Sequence, residues 1–232
     1  MNTILSNFIR TKKLTTRLKT DVSGVAMVEF AVALPFLLTL TLGGLEFTNL
    51  TLSNMRISQI AMMVSDNAGR VRTSIDRLDV NEVMIGARFA GTDIELGTYG
   101  RVILSSLENN GQAGANAGNV IRWQRCFGAK NDVSSYGVEG DGLTDSSLAT
   151  GMGPTGQRIV PVPGTALMFT EILYDYQHLL PNLFTQSLFP NRTIRYTAAF
   201  TVRERANNVL NNFSNLSDGA TASRSCSTFS AT

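Results

Sequence analysis

The chain has 232 residues, with 20 Lys and Arg against 18 Asp and Glu, one His and two Cys. A net charge of +2 supplies no concentrated basic face, so no nucleic-acid partner is expected. One imidazole and two thiols exclude multi-histidine and four-thiolate metal sites, and a hydrophobic fraction of 43% excludes wholesale disorder. No phosphate loop, nucleophile elbow or metal cluster stands out, so the expectation is a protein that is not an enzyme and needs no cofactor.

Residues 1–24 hold five basic side chains (Arg10, Lys12, Lys13, Arg17, Lys19) and one acid, Asp21, with no continuous apolar run. Val25 to Leu45 then reads as an apolar stretch with Glu29 as its one charge, and Glu46 follows at once. As a helix those residues span roughly 31 Å, the thickness of one hydrocarbon core. The sequence therefore predicts a transmembrane helix over 25–50. The basic flank precedes it, so positive-inside bias puts residues 1–24 in the cytoplasm and everything after about residue 50 outside it.

Three readings compete for this segment. A cleaved secretory signal has a short n-region, an uninterrupted apolar core and an A-x-A-like site, and this segment lacks all three. A plain signal anchor explains everything except Glu29. An intramembrane carboxylate costs about 2.5–3.5 kcal/mol near a helix centre and marks function by default, although a carboxylate near the interface can also snorkel to the headgroups. The third reading starts from the pattern Gly24-Val25-Ala26-Met27-Val28-Glu29-Phe30, which lies at the basic-to-apolar junction.

That pattern, G-x-x-x-x-E-F, resembles the processing site of type IV prepilins. The resemblance implies cleavage after Gly24 by a prepilin peptidase, leaving Val25 as the first residue and Glu29 as the fifth. In this family the glutamate is taken to pair with a neighbouring subunit's amino terminus, which offsets desolvation and sets register. Ala31 to Leu38 with Pro35, followed by Gly43, Gly44, Glu46 and Phe47, extends the match. Together these residues resemble the TadE-like pseudopilins of tight-adherence (Flp) pilus systems, whose pattern is G-x-x-x-x-E-F-A-x-x-x-P, then an apolar run and G-x-x-E-F. The stretches WQRCFG (123–128), VPVPGTA (160–166), EILYDYQ (171–177) and RER (203–205) echo the same family more loosely.

The resemblance implies a minor pseudopilin in the bacterial inner membrane, its amino terminus cytoplasmic and its carboxyl-terminal domain periplasmic. It implies as partners a prepilin peptidase, a Flp-type major pilin, other minor pseudopilins, the inner-membrane assembly platform and membrane lipid. A generic signal-anchored envelope protein that binds a ligand remains the alternative.

Beyond the membrane segment, residues 51–92 read as stalk and amphipathic helices. Phe47, Leu50, Ile57, Ala61, Val64 and Ala68 form one stripe, with Gly69 as terminator. Met55, Met62 and Met63 widen it, and the sequence favours their covering the chain's own domain over contacting partner helices. Asp79 with Glu82 suggests a capping box for a second helix, with Val80, Val83, Met84, Ala87 and Ala90 inward and Gly91 at its end.

From residue 93 to 232 the expectation is an α+β domain, an antiparallel sheet packed on helices. Strands are predicted over 101–107, 120–127, 166–177 and 193–203, with the last two paired. In the last, Ile194, Tyr196, Ala198, Phe200 and Val202 are expected to face inward. Loops are expected at 109–119 and 137–157.

Cys126 and Cys226 lie in a segment assigned outside the cytoplasm with no third thiol to compete, so a disulfide is expected. It would tie the polar tail (206–232) to the sheet and contribute about 4–5 kcal/mol in the chain-entropy model. Two unrelated thiols remain the alternative. Glu139, Asp141 and Asp145 offer carboxylates for calcium, but a solvated loop is the simpler reading. His178 beside Tyr174 and Tyr176 reads as a strand-end residue rather than a catalyst.

Overall fold

The computed structural model describes residues 24–72, 74–180, 192–203, the backbone of 207–211, and 224–231. The leader, with its basic residues, and the second half of the RER stretch lie outside the described residues. The chain divides into two compact units, Met1–Thr48 and Asn49–Thr232.

Helix α1, Val25–Arg70, runs through both units as 46 residues. At 1.5 Å per residue its length is roughly 69 Å. In the first unit its surface is apolar all round, and Met27, Val28, Phe30, Phe36 and Leu40 are each at least 60% exposed. In the second unit only one stripe is covered. Ile57, Ile60, Ala61, Val64 and Ala68 are buried, with Leu50 packed beside them. This matches the predicted stripe except at Phe47, which is 62% exposed. Met55 and Met62 are also exposed. They lie off the covered stripe, so the expectation that they cover the domain is corrected.

After α1 come the short strand β1, Ser74–Asp76, and helix α2, Arg77–Ala90. The cap is one turn earlier than the sequence suggested. Asp76, in extended backbone as it leaves β1, accepts from the N–H groups of Leu78 and Asp79 (2.8 and 2.9 Å). Asp79 returns the bond by accepting from Asp76 N–H at 3.0 Å. Asp79 is therefore the third helical residue rather than the cap, and Glu82 is exposed. Val80, Met84 and Ala87 are buried as expected, whereas Ala90 is exposed because the helix ends there, with Gly91 N–H donating back to Ala87 and Phe89. A single turn, α3 (Leu96–Tyr99), leads into the sheet.

The sheet comprises β2 (Gly100–Asn109), β3 (Asn119–Phe127), β4 (Leu167–Asp175) and β5 (Thr193–Thr201), in the order β3-β2-β4-β5 and antiparallel throughout. The predicted β4–β5 pairing is present, with Ile172 opposite Tyr196. β6 (Asn207–Asn211) pairs with β1 in a separate parallel ribbon. The architecture is α+β, a long apolar helix followed by a four-stranded antiparallel sheet packed with helices.

Both faces of the central strands are buried. On one face Val102, Leu104, Met168, Ile172 and Tyr174 meet α1 and α2. Ser65 of α1 donates to Ala61 O and lies 2.9 Å from Thr170 Oγ1, so the helix stays hydrogen-bonded where it touches β4. On the other face Leu107, Ile121, Leu167 and Phe169 pack under Leu148, Met152 and Tyr136 of the long 128–166 connection. Asn110 pins these loops. Its Nδ2 donates to the carbonyls of Asn116, Gly142 and Asp145, and its Oδ1 accepts from Gln112 and Gly118. Gly142 adopts φ +78°, and a Cβ there would sit 2.1 Å from Asn119 O, so no other residue fits.

In β5 the alternation is weaker than predicted. Ile194 and Val202 are buried, but Tyr196 is 38% exposed because an edge strand has a neighbour on one side only.

In detergent-solubilised full-length protein, Asp76→Ala is expected to lower stability by about 1 kcal/mol, because two helix-end N–H groups lose their acceptor. Glu82→Ala is expected to stay within about 0.5 kcal/mol. Denaturant midpoints at constant slope compare the two.

Candidate functional site

The candidate site has two parts, one in each unit. In the first unit Gly24 forms a turn, its carbonyl accepts from Val28 N–H at 3.2 Å, and the helix proper starts at Val25. Gly24 and Glu29 are exposed, and Phe30 is 64% exposed. A Cβ built on Gly24, Gly43 or Gly44 meets nothing within 4 Å. The two adjacent glycines thus leave a shallow notch in the helix surface where another helix can approach closely.

Pro35 lies inside the continuous helix, where it removes one main-chain donor. The hydroxyls nearby are all turned back onto the backbone. Thr39 donates to Pro35 O (2.7 Å), Thr41 to Leu37 O (2.9 Å) and Thr48 to Gly44 O (2.8 Å). Such i to i−4 bonds let a polar side chain enter hydrocarbon without an unsatisfied donor. Glu46, the second acid of the pattern, is buried. The helix is long and apolar enough to cross a membrane, with its most apolar window uncovered by protein, and is compatible with a single-pass anchor.

In the second unit the carboxyl-terminal segment 224–231 straps across the end of the sheet. Cys126 and Cys226 sit at disulfide distance, with Cα atoms 4.8 Å apart. Around them β3 is extended by main-chain bonds, Cys126 N–H to Arg224 O (2.7 Å) and Gly128 N–H to Ser230 O (3.0 Å). Arg224 Nε donates to Asn81 of α2 at 2.9 Å.

Arg101 is the residue that sequence reading missed. It opens the predicted strand 101–107, where a charge reads as a solvent-facing strand end, yet it is 1% exposed. Its Nη1 donates to Gly128 O and Thr228 O and its Nη2 to Cys226 O, all at 2.8 Å. The Phe229 ring stacks 4.3 Å from the guanidinium carbon. Burial lowers the guanidinium pKa below its usual value, and three carbonyl dipoles and a ring face stand in for a carboxylate. Glu171 is a second buried charge. It accepts from Ser134 Oγ (2.9 Å) and Ser135 N–H (3.0 Å), with Arg195 at 3.9 Å.

A cavity of about 270 Å³ beside the strap is lined by Ile103, Cys126, Asp132, Ser134, Glu139 and Cys226, among others. Its acids already have cations, Lys130 on Asp132 (2.9 Å) and Arg125 on Glu139 (2.7 Å).

The remaining sequence candidates are accounted for locally. Asp141 accepts from Val138 N–H and Asp145 from Ser147 N–H, both 2.8 Å, so these carboxylates close their own turns. The Ser147 contact also holds the Asp145 carboxyl below its ordinary pKa. Among the described residues no three potential metal ligands converge. His178 lies beyond the end of β4, its ring edge-on to Tyr176 with centroids 5.0 Å apart.

These features define an α+β domain carried on a single apolar helix. Residues 24–65 match the model of the TadE-like protein family. The match covers the G-x-x-x-x-E-F pattern, the apolar segment and the start of the covered stripe, and it supports a role related to the Tad pilus. No curated protein and no solved structure matches the chain.

Arg101→Leu is expected to strand the Cys226 and Thr228 carbonyls of the strap and Gly128 O beside it, at roughly 1–3 kcal/mol for each acceptor left buried. Limited proteolysis of the full-length protein should then cut within 224–231 faster than in wild type while the Cys126–Cys226 link persists, as read by intact mass without reductant.

Proposed function

We propose that this chain is a minor pseudopilin of a bacterial tight-adherence pilus, acting without catalysis in fibre assembly. The observation that carries the proposal is the TadE-like match at residues 24–65, placed on a helix whose apolar surface is uncovered. In this reading a prepilin peptidase cuts after Gly24 on the cytoplasmic side, and Val25 becomes the new amino terminus. A free α-amino group at a helix start is unfavourable with the helix dipole, and a carboxylate four residues on offsets it. Glu29 stands at that position. In an assembly it would pair with a neighbour's amino terminus, because two partly desolvated opposite charges are cheaper together than apart.

The notch at Gly43 and Gly44 and the self-satisfied threonines suit a helix that moves between lipid and the packed helices of the assembly. The domain that follows lies in the periplasm, where a disulfide persists. Its partners are the Flp-type major pilin, other minor pseudopilins and the inner-membrane platform. Cleavage also changes the electrostatics. Of the 20 basic and 18 acidic residues, the leader removes five and one, leaving a mature chain with 15 and 17. The basicity of the leader thus serves topology and is discarded.

Intact-mass measurement of membrane-extracted protein with and without prepilin peptidase tests this reading. The expected result is a loss of residues 1–24 only when the peptidase is present, blocked by Gly24→Leu. A chain that keeps Met1 in peptidase-positive cells would indicate a plain signal-anchored envelope protein. Glu29→Ala is expected to leave membrane insertion intact and to reduce piliation strongly, as counted by electron microscopy.

A further inference from the structure

The two cysteines of the strap link stand in unlike surroundings. Cys126 lies on β3, is 3% exposed, and packs against Ile103 of β2 and Leu173 of β4. Cys226 lies in a turn of the carboxyl-terminal strap and is only partly buried. Both line the cavity of about 270 Å³, together with Val133, Val138, Ser225 and Ser227 among others. Val133, Val138 and Ser227 are exposed, so the cavity opens to solvent on their side.

The strap is held on the sheet by contacts that do not involve sulfur. Arg101 donates to Cys226 O and Thr228 O, both at 2.8 Å. Cys126 N–H donates to Arg224 O and Gly128 N–H to Ser230 O. The Phe229 ring stacks on the guanidinium, and Arg224 Nε reaches Asn81. None of these contacts needs the S–S bond. In the reduced chain the strap therefore stays docked, and the two thiols remain adjacent and unequal.

We propose that Cys226 is the entry site for thiol–disulfide exchange with an external peptide disulfide, and that Cys126 is the resolving thiol. The Cys226 thiolate attacks one sulfur of the external disulfide, forms a mixed disulfide and expels one external thiolate. Cys126 then gives its proton to solvent and attacks Cys226 Sγ. That step forms the internal disulfide and expels the second external thiolate. Two protein thiols are oxidised, and one external disulfide is reduced to two thiols. The opposite order is blocked at the first step. A thiol packed against Ile103 and Leu173 is shielded from a bulky disulfide, and apolar burial disfavours its thiolate. Proximity offsets that handicap at the second step, because the docked strap holds the two Cα atoms 4.8 Å apart. Arg101 is thus a positioning residue for closure and takes no part in uptake. All of these groups lie in the folded domain, so the exchange chemistry goes beyond the pilus reading and does not depend on it.

Intact mass of the full-length protein in detergent, with oxidised glutathione as the probe, follows both steps. Cys126→Ser leaves Cys226 as the one thiol, and Cys226→Ser leaves Cys126. The Cys126→Ser chain is expected to gain one glutathione at least about tenfold faster than the Cys226→Ser chain, and in denaturant the two rates should converge. In the reduced two-cysteine chain, Arg101→Leu and the milder Phe229→Ala should slow closure without slowing uptake, so that acid-quenched samples accumulate the mixed disulfide. Folded Cys226→Ser chains that take up glutathione as fast as Cys126→Ser chains would overturn the proposal. So would wild-type closure rates in both the Arg101→Leu and Phe229→Ala chains, or a loss confined to uptake.

Discussion

The folded domain depends on a sheet whose two central strands are dry on both faces. β2 and β4 are buried along almost their whole lengths, so each face must find a cover and each polar side chain between them must find a partner. One cover is regular, the lower half of α1 with α2. The other is the 128–166 connection, which has no strand or helix of its own and is held by turns, by Asn110 and by Asn119, whose Nδ2 donates to Leu148 O. A loop can serve as a layer only if its backbone groups are satisfied, and these side-chain amides supply the missing donors.

The same dryness explains the polar groups buried at the margins. Arg101 exchanges water for three carbonyls and an aromatic face. Glu171 exchanges it for a hydroxyl, an N–H and Arg195. Neither group lies among apolar side chains without compensation, which would cost several kcal/mol. Because Arg101 bonds Cys226 and Thr228, the strap is fixed by electrostatics as well as by the sulfur link. The strap in turn covers the outer edge of β3, where Cys126 and Gly128 donate to it.

Helix α1 meets two different requirements along one element. In Val25–Thr48 nearly every side chain is apolar and the threonines bond their own backbone, as a hydrocarbon environment demands. From Asn49 onward the surface is divided, with Ile57, Ala61, Val64 and Ala68 on the covered stripe and Met55 and Met62 outside it. Methionine is as apolar as its neighbours, so composition could not tell which of these residues the domain covers. That was decided by where the sheet lies around the helix.

The sequence by itself determined the apolar helix, its terminator region, the positions of the four strands of the main sheet but not of β1 and β6, the β4–β5 pairing and the G-x-x-x-x-E-F pattern at the junction. These rest on local signals, namely hydropathy runs, periods of 3.6 and 2, and short spacings. It also indicated the cysteine partners, because only two thiols were available. Tertiary structure alone decided the strand order β3-β2-β4-β5, the burial of Arg101 and Glu171, and the cover along the outer edge of β3. Each of these depends on contacts between residues far apart in the chain. Arg101 and Thr228 are 127 positions apart, and Ser134 and Glu171 are 37. A charged residue in an alternating strand looks solvent-facing until the segment that covers it is known, and that segment carries no periodic signal of its own.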